Sequence, residues 1–406
     1  AWIRAALTAL RRCFRTNRIH IGMDEAHGVG LGEYYQKHGA VNRFELLNRH
    51  LNRVVDICKE LGFKPIMWSD MFYRLGSKNN DYYDTDAVVP ESAIAQIPDV
   101  ALCYWDYYHT DEQFYAGMLE GHRKMGKEVV FAGGIWTWSG ILPHVRKTNA
   151  TMYPALRACL KAGIGTVLAT SWGDDGCETD YRLALNQLPI YSEHVWLGED
   201  CTRAEVERMG ERLTGLSEAC FNAMGAFYAD DDDRRPGKGL FYCGPLYPLT
   251  EGLWDLTGYR EGLEEGIKTL ERHLDDSRCE YAWLAMRIAL EKLNWVNELR
   301  PAYLRGDKAV VLTMANEKLP AMRELYVKMM SVWREQWESG RKRNGWETIC
   351  ARLGAVIARL DDVQRILLRW ADGTIECVEE LDETPLPASR LCGRQDYHTM
   401  SFPQFR

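Results

Sequence analysis

Five short apolar runs alternate with amphipathic stretches through the first 200 residues, and few folds accept that order. The runs are residues 18–24, Lys64-Pro65-Ile66-Met67-Trp68, Val100-Ala101-Leu102-Cys103-Tyr104, Glu128-Val129-Val130-Phe131-Ala132 and Gly165-Thr166-Val167-Leu168-Ala169-Thr170. Each has the length and apolar content of a buried strand. Helices are expected at 1–16, 43–61, 111–125 and 151–162, with another near 179–195. In the first, Ile3, Leu7, Leu10 and Phe14 recur at three- and four-residue steps; in the second, Phe44, Leu47, Leu51, Val54 and Cys58 share one face before Gly62. Strand–helix alternation predicts a parallel sheet with crossover helices, because parallel neighbours need a long connection. Five units fall short of the eight that close a (β/α)8 barrel.

After residue 200 strand signals vanish. Helices are expected near 203–224, 259–275, 280–304, 308–339 and 346–370, with Trp333, Trp337, Trp346 and Trp370 packing them together. Four aspartates at 230–233, followed by Arg234-Arg235-Pro236-Gly237, read as a loop, since like charges repel and Pro and Gly interrupt helices. The expected organisation is an α/β unit over 1–200, an α-helical domain over 201–375 and an irregular tail over 376–406.

Composition narrows the partners. A formal net charge of −8 with no basic stripe argues against nucleic acid or an anionic membrane. Nothing approaches an apolar run of about 18 residues, so no transmembrane helix is expected. Cys58, Cys103 and Cys159 sit in apolar surroundings and read as reduced core thiols, which suggests a cytoplasmic setting. His20, His27 and His38 lack a metal-binding spacing, and Gly28-Val29-Gly30-Leu31-Gly32 lacks the spacing that cradles a pyrophosphate. No metal or cofactor is expected.

The strand ends carry the polar chemistry. In barrel enzymes, catalytic groups come from the C-terminal ends of several strands. Here the first run, Arg18 to Asp24, alternates apolar Ile19, Ile21 and Met23 with His20, Gly22 and Asp24, and closes on the pair Asp24-Glu25. Later ends read Trp68-Ser69-Asp70, Tyr104-Trp105-Asp106, Ile135-Trp136-Thr137-Trp138 and Ser171-Trp172-Gly173-Asp174. Tryptophans cover the apolar faces of sugar rings, and carboxylates take their hydroxyls.

His20-Ile21-Gly22-Met23-Asp24-Glu25 resembles the His-x-Gly-x-Asp-Glu signature of glycoside hydrolase family 20, the exo-β-N-acetylhexosaminidases. The family commonly has a second glycine where this chain has Met23. The later strand ends follow the family's order, and the region after 201 resembles the helical C-terminal extension of one bacterial branch. The resemblance implies a partial (β/α)8 TIM barrel, about strands 4–8, followed by an α-helical C-terminal domain. On that reading three strand–helix units precede residue 1, among them the arginine that grips the outer sugar hydroxyls in the family.

What the resemblance implies about chemistry is substrate-assisted hydrolysis of terminal β-linked GlcNAc or GalNAc, with retention. Glu25 would be the general acid and then base, Asp24 would hold the acetamido N–H and offset the developing charge, and Tyr104 would hold the acetamido oxygen. His20, Trp68, Asp106, Trp136, Trp138, Trp172 and Asp174 would bind the sugar. Neighbours in extended chain point apart, so Asp24 and Glu25 suit this scheme better than an acid and nucleophile about 5 Å apart. The expected partners are glycans or glycoconjugates ending in N-acetylhexosamine, with a homodimer as a further expectation. Two alternatives stand beside this: a non-catalytic amino-sugar-binding relic, and a retaining glycosidase using Asp70 or Asp174 as a separate nucleophile.

Overall fold

The computed structural model describes residues 1–228, 236–246 and 258–383. Its chain divides into two units. One comprises Ala1–Gly134, Ala150–Thr170 and Ile190–Cys201; the other comprises Ile135–Asn149, Ser171–Pro189 and the described residues from Thr202 onward. The segments that directly follow the fourth and fifth strands therefore group with the helical residues, not with the sheet.

The first unit holds one all-parallel sheet whose strands lie in chain order: β1 (Arg18–His20), β2 (Lys64–Trp68), β3 (Ala101–Trp105), β4 (Val129–Gly134) and β5 (Val167–Thr170). It curls as a half-barrel. Arg18, Ile19 and His20 stand opposite Lys64, Pro65 and Ile66. β2, β3 and β4 are buried on both faces apart from Lys64, as crossover helices demand. Helix α1 (Trp2–Cys13) packs on α2 (Arg43–Glu60) around Leu7, Val54, Cys58 and Phe63. Asn42 caps α2 by accepting the amides of Phe44 and Glu45. Helix α3 (Glu112–Lys124) is capped in the same way by Asp111.

The run expected to be extended over 18–24 leaves strand geometry after His20. The Ile21 amide still donates to the Ile66 carbonyl and the Trp68 amide to Gly22, so the ladder continues for two residues. Then Gly22, Met23 and Glu25 take φ of +74°, +84° and +49°. A left-handed backbone cannot continue a strand, so the chain turns there.

The second unit is helical: α4 (Arg203–Thr214), α5 (Pro236–Tyr242), α6 (Tyr259–Leu270), α7 (Ser277–Leu304), α8 (Leu319–Gly340) and α9 (Trp346–Ala371) are its main elements. α7 is buried on most of its surface and forms the spine of a core that includes Trp295, Tyr326, Trp333 and Leu353. The helix expected over 203–224 is interrupted because Gly215 takes a left-handed φ of +74° and ends α4. Residues 308–339 are helical as expected, with a π turn at Met314–Lys318. Pro236 and Gly237 open α5 instead of lying in a loop, since proline suits a first helical turn; the aspartates at 230–233 lie outside the described residues, as does most of the expected tail.

Candidate active site

Asp24 and Glu25 are both exposed on the turn after β1. The left-handed φ of Met23 and Glu25 each cost roughly 1–3 kcal/mol, strain of the kind that persists where surroundings over-determine the backbone. One determinant is visible. The Glu25 amide donates to Oδ2 of Asp70, 2.9 Å away, and Asp70 is fully buried at the start of the helix after β2. Burial pushes the Asp70 carboxyl up to about 6, while the Glu25 amide and the Trp105 indole pull it down and the charge of Asp24 pushes it further up. Its other oxygen is buried without a hydrogen-bond partner.

His20 lies beneath this turn. Its Nδ1 accepts the Gly22 amide at 3.1 Å, so Nε2 carries the proton, and that atom is buried without a partner. Burial pushes the imidazole down to about 4, against an opposing pull from Asp24, so it is neutral near pH 7. Its ring centroid is 4.1 Å from that of Trp68, which is itself buried at the end of β2. The structure thus brings His20, Trp68, Asp24, Glu25 and Asp70 together in the first unit.

Tyr82, on the loop after β2, joins them. Its hydroxyl stands 2.9 Å from His27 Nε2. Partial burial, then the charge of Glu25 and a hydrogen bond to that carboxylate, push the phenol up to about 12. Its ring lies 5.4 Å from Trp105 and under the Arg74 guanidinium at 4.9 Å. Tyr82 was not singled out from sequence, and Trp105 entered only as the middle of the Tyr104-Trp105-Asp106 strand end. The only available signal was a tyrosine doublet, Tyr82-Tyr83, in an otherwise polar turn-rich segment.

Two expected substrate contacts are placed otherwise. Tyr104 has no exposed surface: Tyr83, Tyr115, His122 and Phe131 surround its ring, and its hydroxyl donates to Asp106 Oδ2 at 2.7 Å. Asp106 in turn accepts the amides of Tyr108 and His109 on Oδ1 and the His109 ring on Oδ2. Both side chains are spent on the corner that turns the chain out of β3. The two do share a side, as their spacing predicted, but that side is interior.

Trp136, Trp138, Trp172 and Asp174 belong to the second unit. Trp136 and Trp138 are buried and stacked on each other, centroids 4.4 Å apart, with the Lys147 ammonium 5.6 Å from the Trp136 ring. Expected as sugar platforms, they pack instead within this unit. Trp172 is half-buried, its carbonyl accepting from Thr137 Oγ1 at 2.8 Å, and Asp174 is exposed at the start of a 3-10 turn.

Among the described residues, no group of three or more His, Cys, Asp or Glu is placed to hold a metal, and no helix is long and apolar enough to cross a membrane. Cys58, Cys103 and Cys159 are buried free thiols.

Residues 255–399 match the family model described as the Glycoside Hydrolase 20C C-terminal domain. The match supports glycoside hydrolase family 20. It covers α6 to α9, the helical region that followed the strand-end motifs in sequence. A comparison with curated proteins found no match.

Proposed function

We propose that the chain is a glycoside hydrolase acting as an exo-β-N-acetylhexosaminidase, removing terminal β-linked GlcNAc or GalNAc from glycans by substrate-assisted, retaining catalysis. The observation that carries this is the exposed Asp24–Glu25 turn held from below by Asp70, together with the helical-region match.

Glu25 protonates the leaving oxygen, and its position beside the Tyr82 hydroxyl gives it a defined partner when ionised. The substrate's own 2-acetamido oxygen attacks the anomeric carbon, forming a cyclic oxazolinium ion. Asp24 accepts the acetamido N–H and offsets the charge that appears there. Glu25 then takes a proton from water as it opens the ring. Neutral His20, whose Nδ1 accepts the Gly22 amide, steadies the turn that presents Asp24 and Glu25. Tyr104, with its hydroxyl on Asp106, supports the β3 corner, and Tyr82 is the phenol hydrogen-bonded to the Glu25 carboxylate.

A nucleophilic Asp70 is disfavoured, because a fully buried carboxylate that holds a backbone amide has no open path to an anomeric carbon. The deciding experiment offers the full chain aryl β-N-acetylhexosaminides, the matching aryl β-glucoside, a thiazoline mimic of the cyclic intermediate, and a 2-fluoro glycoside. Cleavage of the first alone, tight thiazoline inhibition and no covalent adduct are expected. A sugar adduct on Asp174 or any other carboxylate would overturn the mechanism.

A further inference from the structure

Two buried thiols of the helical unit, Cys220 and Cys279, take no part in the proposed chemistry. Cys220 is the third residue of the short helix Glu218–Met224, and Cys279 is the third residue of α7. Neither has any exposed surface, and both belong to the same core. The chain brings their helices together at two points. Arg278, next to Cys279, donates from Nη1 to the Thr214 carbonyl at 2.8 Å, just before the turn that leads to Cys220. At Gly266 of α6, an added Cβ would lie 2.5 Å from Met286 Cε and 2.8 Å from the Ala223 carbonyl. Met286 lies two turns past Cys279 and Ala223 one turn past Cys220, so each shares its cysteine's face. The two cysteine-bearing faces therefore converge.

The sulfurs themselves interact. Cys279 donates a hydrogen bond to the Cys220 sulfur, and Ser217 Oγ stands 3.5 Å from the same atom. The Cys279 donor pulls the Cys220 thiol down to about 6. Burial opposes it, while Ser217 and the charge of His273 pull further down against Asp276. Cys279 is pushed up by the same bond and by burial. Near pH 7 the pair thus keeps its proton on Cys279 and leaves Cys220 as thiolate, the form that reacts. Cys58, Cys103 and Cys159 differ: burial alone acts on them and pushes each up, toward the inert thiol. Ala219 and Ser277, within two residues of the cysteines, are exposed. The sulfurs therefore lie one layer beneath the surface, at two helix starts, where helices fray.

We propose that Cys220 and Cys279 are an oxidisable pair, converted by hydrogen peroxide into a disulfide that ties the 218–224 helix to the start of α7. Peroxide suits the site because it is neutral and close to water in size. The Cys220 thiolate attacks one peroxide oxygen. The O–O bond breaks, leaving a sulfenic acid on Cys220 and a hydroxide that takes a proton to become water. Cys279 then loses its proton and attacks the sulfenic sulfur; the S–O bond breaks, the S–S bond forms, and the second oxygen leaves as water. Two thiols and one peroxide become one disulfide and two waters, the sulfurs oxidised and the peroxide oxygens reduced. Cys279 lies inside the matched 255–399 segment and Cys220 before it, so the cross-link fastens that segment to the chain preceding it. None of this depends on the hexosaminidase reading.

The test treats the full chain with hydrogen peroxide and maps its peptides by mass spectrometry without reduction. The expected product is a linked peptide joining Cys220 to Cys279, lighter than its two thiol halves by two hydrogens. The cross-link closes a loop of about 60 residues and should raise the melting temperature by about 10 °C, a gain that dithiothreitol reverses. Cys279→Ala should halt the sequence at the sulfenic acid, which dimedone captures on Cys220. In Cys220→Ala, Cys279 should stay unlabelled. The parent's peptide map decides even if a variant fails to fold. Oxidation of Cys220 without linkage, a different pair forming first, or Cys58, Cys103 and Cys159 reacting as fast as Cys220 would overturn the proposal. So would the absence of reaction at both thiols.

Discussion

The buried carboxylate of Asp70 accepts the backbone N–H of Glu25, so a residue 45 positions away in the chain holds the proposed acid by its main chain. That bond has a pH signature. Asp70 titrates near 6 when folded, above its ordinary value of 3.8, because burial penalises its charge. The folded state therefore binds this proton more tightly than the unfolded state. Stability from neutral Asp70 is complete below about pH 4 and is lost as pH rises through about 6, by about 2–3 kcal/mol. Asp70→Asn keeps an oxygen for the Glu25 amide and removes the titration. Melting curves of parent and variant from pH 4 to 8 should diverge, the parent falling relative to Asp70→Asn as pH rises. Parallel curves would show that Asp70 does not carry the shifted proton. Contributions of His20 and His122, both pushed down to about 4 by burial, cancel in this comparison.

Removing the acid separates substrates by leaving group. Glu25→Gln keeps the shape of the side chain and loses the transferable proton. Activity on natural glycosides should fall by about 10²–10⁴, and much less on aryl glycosides whose phenolates depart unaided. Equal losses on both would exclude Glu25 as the acid. Tyr82→Phe removes the hydroxyl beside that carboxylate and should lower kcat/KM on natural glycosides by about tenfold, the loss of roughly one charge-assisted hydrogen bond, read from steady-state kinetics.

Met23 stands where the related signature commonly has glycine, and its φ of +84° explains the preference: only glycine takes that conformation without a Cβ penalty. Met23→Gly should therefore stabilise the protein by about 1 kcal/mol, read as a higher denaturant midpoint with unchanged slope. A loss of stability would mean that the side chain's packing outweighs the relief of strain.

Local periodicity was enough to read the five strands, their parallel pairing and most of the described helices after residue 200, because each depends on neighbours within a turn or two. Strand-end placement of Asp24, Glu25, Trp68 and Trp172 followed from the same alternation. What the sequence did not reveal is which strand-end groups stay available. Tyr104 and Asp106 have the right spacing, yet their partners, the amide and ring of His109 and the rings of Tyr83, Phe131 and His122, come from the β3 corner and from elements far along the chain. Asp70 read as a possible separate nucleophile until tertiary folding set its carboxylate against the Glu25 amide. Glu178 was one acidic residue in a polar loop, and only the packing of α5, α7 and α9 placed Lys238, Tyr281 and Arg352 around it. Spacing decides on which side of a strand a residue lies. Whether that side is solvent or core depends on what the rest of the chain brings to it.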